Sequence, residues 1–283
     1  MGRTRSKVHT FITSILGIPA LCSVGISADS VPVDSKQKES TTVFSATKVD
    51  QLRSEAMRLS KPPEKVPDGW SKSTVDPMKV LTIFKPLHIK KGYTLHAYQF
   101  SEHLGKNAFV WAMPEKAMFP EPATCRQEGK RFGFLYGPMP PEALDNLMEA
   151  IDGDGSPWSY MCGSILQREL DEFGASWHGC NWSTHMIVDR NLWKASKDNV
   201  DKSSKGLERL VKEGSRWKAL EPEPKEWQPQ VQIGKDKVTV TLHTYSGHGQ
   251  QTIYRHVDTY KPGSYSFQSD RKEIVKGPPG YQW

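Results

Sequence analysis

Residues 237–260 read KVTVTLHTYSGHGQQTIYRHVDTY. Two runs rich in β-branched and aromatic residues, 237–245 and 251–260, flank Ser246-Gly247-His248-Gly249-Gln250. Side chains along a strand alternate between two faces, and a short Gly-containing connection between two such runs signals a hairpin. The stretch therefore predicts antiparallel β structure. The expected register places Val238, Val240 and Leu242 on one face, joined by Ile253 and Val257. Thr239, Thr241, His243 and Tyr245 then share the other face with Tyr254, His256 and Asp258. A third strand is expected over residues 265–275.

Upstream of the hairpin the pattern is helical. Ser156 suits an N-cap and Pro157 the first helical position, and Gly174 suits a C-terminal cap. Between them Trp158, Met161, Cys162, Ile165, Leu166, Leu170 and Phe173 form one apolar face. Gln167, Arg168, Asp171 and Glu172 point the other way. A preceding helix is expected behind Pro140-Pro141, on Leu144, Leu147, Met148 and Ile151. A third is expected over 204–213, around Leu207, Leu210 and Val211.

Nearer the N-terminus, residues 79–84 (KVLTIF), 92–100 (GYTLHAYQF) and 107–113 (NAFVWAM) read as an antiparallel meander, and 131–136 (RFGFLY) as a further strand. The expected fold class is α+β: antiparallel strands, two or three central helices, and a C-terminal antiparallel β-sheet.

Domain organisation follows from composition. Arg3, Arg5 and Lys7 precede an apolar or small run at 11–26 and then Ser27-Ala28, the pattern of a secretory signal peptide over 1–28. Residues 29–75 read as a flexible polar and Pro-rich segment, with a short helix on Val49, Leu52, Ala56 and Leu59. Residues 76–283 are expected to form a single globular domain. The 283-residue chain is 36% hydrophobic, which supports a core and excludes a wholly disordered protein. No run of 20 apolar residues occurs, which excludes a multi-span membrane protein, and no stable span is expected after signal cleavage. The formal charge is +6. Three of those basic residues and no acid lie in 1–28, and the rest are interspersed with acids, so no nucleic-acid partner is expected.

Three sets of residues could carry chemistry. Trp177-His178-Gly179-Cys180-Asn181-Trp182-Ser183-Thr184-His185 is the densest. His178, Cys180 and His185 are residue types that zinc or copper takes, and Cys180 beside His178 or His185 is equally a candidate nucleophile, with Asp189 as orienting group or ligand. The second set is the polar hairpin face of His243, Tyr254, His256 and Asp258, able to meet across two strands. The third is tryptophan: nine in the chain, with Trp177 and Trp182 as candidate binding platforms for glycans or peptides.

Cysteine usage adds a further expectation. Cys162 reads as a small buried hydrophobe on its helix, which leaves Cys125–Cys180 as the preferred disulfide. Several motifs fail. Asp152-Gly153-Asp154-Gly155-Ser156 opens like a calcium loop, but Gly163 stands where the twelfth-position Glu belongs. No G-x-S-x-G elbow or P-loop is present.

These readings describe a secreted or periplasmic protein that is tryptophan-rich and carries no complete catalytic signature. The expected function is non-catalytic binding of a glycan or an envelope protein. The alternative is a small hydrolase or metalloprotein built on His178, Cys180 and His185. No cofactor is indicated.

Overall fold

The structure, a computed structural model, describes residues 39–62, 64–102, 105–127, 131–132, 135–177, 181–190 and 217–281. The expected signal segment, the expected helix at 204–213, and His178 and Cys180 lie outside the described residues.

Strand β1 (Ser40–Val43) leads into helix α1 (Ala46–Ser60). The Ser45 hydroxyl accepts from Lys48 N at 3.2 Å, satisfying an orphan donor of the first turn. Val49 and Ala56 are buried, with Leu52 and Leu59 packed against the same core. The apolar spacing read from the sequence thus forms its helix. Next come β2 (Gly69–Lys72) and α2 (Pro77–Leu81). This helix and the turn behind it replace the strand expected over 79–84. Asp76 accepts from Met78 N at 2.9 Å, and Pro77 takes the first helical position. Capping outweighs the β-branched content of the residues that follow.

Strands β3 (Leu87–Ile89), β4 (Tyr93–Glu102) and β5 (Gly105–Pro114) follow. β4 and β5 pair throughout, from Tyr93 opposite Pro114 to Glu102 opposite Gly105. β6 (Arg131–Phe132) and β7 (Leu135–Tyr136) make a small ribbon. The helix expected behind Pro140-Pro141 does not form. A single 3₁₀ turn, Leu147–Ala150, is started by Asn146, whose side chain accepts from Met148 N at 3.0 Å. The chain then extends as β8 (Ile151–Gly153), paired with β3. Leu147, Met148 and Ile151 are buried all the same. Helical spacing of apolar residues is satisfied here by a turn and a strand, because the Asn side chain offers the backbone a local alternative.

Helix α3 (Pro157–Asp171) begins at the predicted cap, Ser156 Oγ accepting from Ser159 N at 3.2 Å. Residues 159–166 are buried without exception, the burial expected of a helix enclosed on several sides. After it come β9 (Ser176–Trp177), β10 (Met186–Ile187), β11 (Lys218–Ala219), β12 (Gln230–Ile233), β13 (Val238–Ser246), β14 (Gln250–Tyr260) and β15 (Phe267–Pro279).

The larger sheet has seven strands in the order β1-β12-β13-β14-β15-β11, with β10 added on β13. It curls into a half-barrel, and α3 packs against β12 and β13. The smaller sheet runs β2-β4-β5-β9. The described chain is therefore mostly antiparallel β-sheet, and its three α-helices are short, one of them five residues long. The expected α+β class with two or three central helices is corrected accordingly. Among the described residues, only α3 of the expected central helices forms.

The hairpin register is corrected as well. Val240 lies opposite Asp258, Leu242 opposite His256 and Thr244 opposite Tyr254. Tyr254, His256 and Asp258 thus share the face of Val240 and Leu242, while His243 stands with Arg255 on the reverse face. The reason is parity. Ser246 pairs with Thr252, so the connecting residues 247–251 are odd in number and even-numbered residues of both strands share one face. The apolar residues are even on β13 and odd on β14, and no such register can collect them all.

Candidate functional site

A short irregular segment between β9 and β10 is held by charged side chains from both long helices. Trp182–Thr184 form one 3₁₀ turn, with His185 directly after it. From α1, Arg53 donates to the His185 carbonyl at 2.8 Å and to the Trp182 carbonyl at 2.9 Å. Its Nε donates to Glu169 on α3 at 3.2 Å. Glu169 accepts a second bond, from the Trp182 indole, at 2.8 Å. Glu172 accepts from the backbone N–H groups of Asn181, Trp182 and Ser183, capping the turn. The Arg53 guanidinium also lies 4.2 Å from the Trp182 ring centre. Arg53 and Glu169 are almost fully buried. Burial raises the Glu169 carboxyl above the usual range, opposed by Arg53 and the indole. Buried ion pairs contribute little net stability against an apolar alternative. What these bonds do is fix the position of Trp182 and His185.

Behind the turn, two imidazoles meet across one hydroxyl. His185 Nδ1 and His256 Nε2 each lie 2.8 Å from Thr244 Oγ1. The hydroxyl carries one proton, so it donates to one ring and accepts from the other. His185 and His256 are nearly inaccessible to solvent. Burial pushes His185 down to about 3, helped by the cations Arg53, Arg271 and Arg168. His256 moves in the same direction, for burial first and then Arg168. Both rings are therefore neutral at physiological pH. Tyr254 stacks on His185 at 5.4 Å and 18°, and Trp182 meets His256 edge to face at 5.9 Å.

Arg168 and Asp258 close the inner side. The guanidinium donates twice to the carboxylate, at 2.6 and 2.9 Å, once to the Ser164 carbonyl at 2.8 Å and once to Ser269 Oγ at 3.2 Å. Arg168, read from the sequence as pointing away from the apolar face of α3, is turned toward the sheet because β14 supplies the matching acid.

These groups open onto a cleft of about 320 Å³. Trp182 and Phe267 supply aromatic surface, His185 and His256 line it together with Arg168, and Gln167, Asn181, Ser269 and Arg271 surround them with the acids Asp171 and Glu172. Its volume lies in the range of small-ligand sites. The Gln167 side-chain oxygen is buried with no hydrogen-bond partner among the described residues.

Of the residues singled out from the sequence, Trp182, His185, Tyr254, His256 and Asp258 are brought together here. His243 is not. It lies on the reverse face, donating from Nδ1 to the Trp227 carbonyl at 3.2 Å. Its Nε2 is a buried acceptor without a partner among the described residues. Burial pushes His243 down to about 4, against the Trp227 carbonyl. Asp189 is not among the residues lining the cleft, and its charge acts on Asp50 of α1. Trp177 ends β9; His178 and Cys180 are outside the described residues, and no three His, Cys, Asp or Glu side chains among the described residues group as a metal site. The expected Cys125–Cys180 bridge is not found, since Cys125 is a free thiol with Sγ 3.2 Å from the Tyr98 hydroxyl.

Sequence reasoning missed Arg53, Glu169, Glu172, Thr244 and Arg271. A charged residue at an apolar-face position was the available signal for Glu169, which sits between Leu166 and Leu170. No local signal marks the others.

Comparisons with protein-family models, curated proteins and solved structures return no match.

Proposed function

We propose that the chain is an exported, non-catalytic carbohydrate-binding protein whose ligand occupies the cleft between α3 and the curled sheet. The observation that carries this reading is the rigid mounting of Trp182. Its turn is held by Arg53, Glu169 and Glu172 through backbone and indole bonds, so the part of the largely buried indole that lines the cleft is in place before a ligand binds. Aromatic faces stack on the apolar faces of sugar rings. Around the aromatic surface stand Gln167, Asn181 and Ser269, which hydrogen-bond hydroxyl groups as donors or acceptors. A ligand hydroxyl would also satisfy the unpartnered Gln167 oxygen. Export is supported by the basic residues Arg3, Arg5 and Lys7 ahead of the apolar run at 11–26.

The test is calorimetric titration of the protein with soluble oligosaccharides, with tryptophan fluorescence as second readout. Binding of at least one class is expected, weakened about tenfold or more in Trp182→Ala and in Phe267→Ala. Phe267 is only partly buried, so its variant keeps the fold. No saccharide binding at millimolar concentration would overturn the reading, as would full affinity in folded Phe267→Ala and Trp182→Ala.

A further inference from the structure

The cations around the cleft are not equivalent. Arg53 is committed to Glu169 and two carbonyls, and Arg168 to Asp258, Ser164 and Ser269. Arg271 differs. Phe267, Ser269 and Arg271 alternate along β15 and share one face, and all three line the cleft. Arg271 pairs in register with His256, as Ser269 does with Asp258. Its guanidinium carbon lies 5.0 Å from the Tyr254 ring centre, and Tyr254 in turn stacks on His185. The side chain is exposed, and no carboxylate pairs with it among the described residues.

Three acids near this cation are engaged elsewhere. Glu172 accepts from three backbone N–H groups. Glu273, two residues along the strand, pairs with Lys276 at 2.7 Å. Asp258 is held by Arg168, and Asp171, the last residue of α3, lines the same cleft. The two imidazoles on the cleft floor are neutral and do not compete for an anion. Arg271 is thus an exposed, forked donor at the mouth of a cleft whose other charged lining groups are Arg168, held by Asp258, Glu172, held by three backbone N–H groups, and Asp171. A guanidinium so placed recognises a planar carboxylate with two parallel hydrogen bonds.

We infer that the cleft selects a carboxylate-bearing sugar, with Arg271 reading the carboxylate while Trp182 and Phe267 hold the ring; this rests on the carbohydrate reading above. The test compares two matched probes, galacturonic acid oligomers and galactose oligomers of the same length, titrated into the full chain at low and high salt. The acidic probe is expected to bind about tenfold or more tightly than the neutral one at low salt. That advantage should shrink as salt screens it. Arg271→Gln should abolish the preference of the acidic over the neutral probe, and Arg271→Lys should restore part of it. Arg271 is exposed, so neither variant threatens folding. Neutral-probe binding without acidic preference, or a preference that survives Arg271→Gln, overturns the inference and leaves the carbohydrate reading standing. Absence of binding by either probe overturns the inference for this acid and, with a broader saccharide panel also silent, the carbohydrate reading itself.

Discussion

Arg168 and Asp258, 90 positions apart in the chain, are joined by two hydrogen bonds of 2.6 and 2.9 Å. Asp258 is fully buried and the arginine side chain is 12% exposed. This pair ties the helix to the inner face of the curled sheet, just beneath the cleft. Removing one partner leaves the other charge buried and uncompensated, which costs about 3–5 kcal/mol. Asp258→Ala is expected to fall in that range by urea denaturation. The double change Arg168→Met, Asp258→Leu should lose much less, since an apolar pair avoids the desolvation of both charges. A double variant as unstable as the single one would contradict this account.

Acid sensitivity follows from the buried imidazoles. His185 is pushed down to about 3 and His243 to about 4, and His256 moves the same way. The unfolded chain titrates near the ordinary histidine value of about 6.5. Between these values the unfolded state binds more protons, so stability is complete above about pH 6.5 and falls as pH drops. Each histidine should contribute a loss on the order of 1–2 kcal/mol between pH 7 and pH 5. Urea midpoints across this interval check the slope, and His256→Asn should make it shallower. A flat profile in the parent protein would refute the assignment of neutral buried rings.

The Glu172 cap predicts a local effect. Its carboxylate accepts from three N–H groups of the turn that carries Trp182. Glu172→Ala is expected to destabilise the protein by about 2 kcal/mol, the scale of bonds to a charged acceptor. Ligand affinity should fall further than this global loss explains, because the turn loses its fixed position. Amide exchange at Asn181, Trp182 and Ser183 is the direct measurement. Unchanged protection there would show that the cap does not hold the turn.

The thiols give a chemical readout. Cys125 and Cys162 are free and buried, and burial pushes Cys162 up to about 12. At pH 8 that thiol is almost wholly protonated, and thiols react through the thiolate. Cys162 should resist alkylation in the native protein and react promptly in denaturant, as peptide mass mapping would show. Rapid native labelling at Cys162 would be inconsistent with its place in α3.

Much of the fold is legible locally. Ser156 and Pro157 announce α3, Val49 and Ala56 the buried stripe of α1, and the runs at 92–100 and 107–113 the β4–β5 pair. The failures are also local in origin. Asp76-Pro77 turned an apparent strand into α2, and Asn146 turned an apparent helix into a 3₁₀ turn. In both cases one side-chain cap acted against a longer hydrophobic pattern.

The site is a different matter. By itself the sequence determined the cap of α3, the longest strand runs and which residues are chemically able: His185, His256, Trp182 and Asp258 all stood out by type. Tertiary structure decided which of them meet. The odd-length connection at 247–251 sent His256 and Asp258 inward to α3 and left His243 on the reverse face. Arg53 reaches the turn across 132 positions, and Thr244 reaches His185 across 59. Hydrogen bonds and ion pairs depend on distance in space, and nothing in residue spacing records it once the chain has folded back on itself.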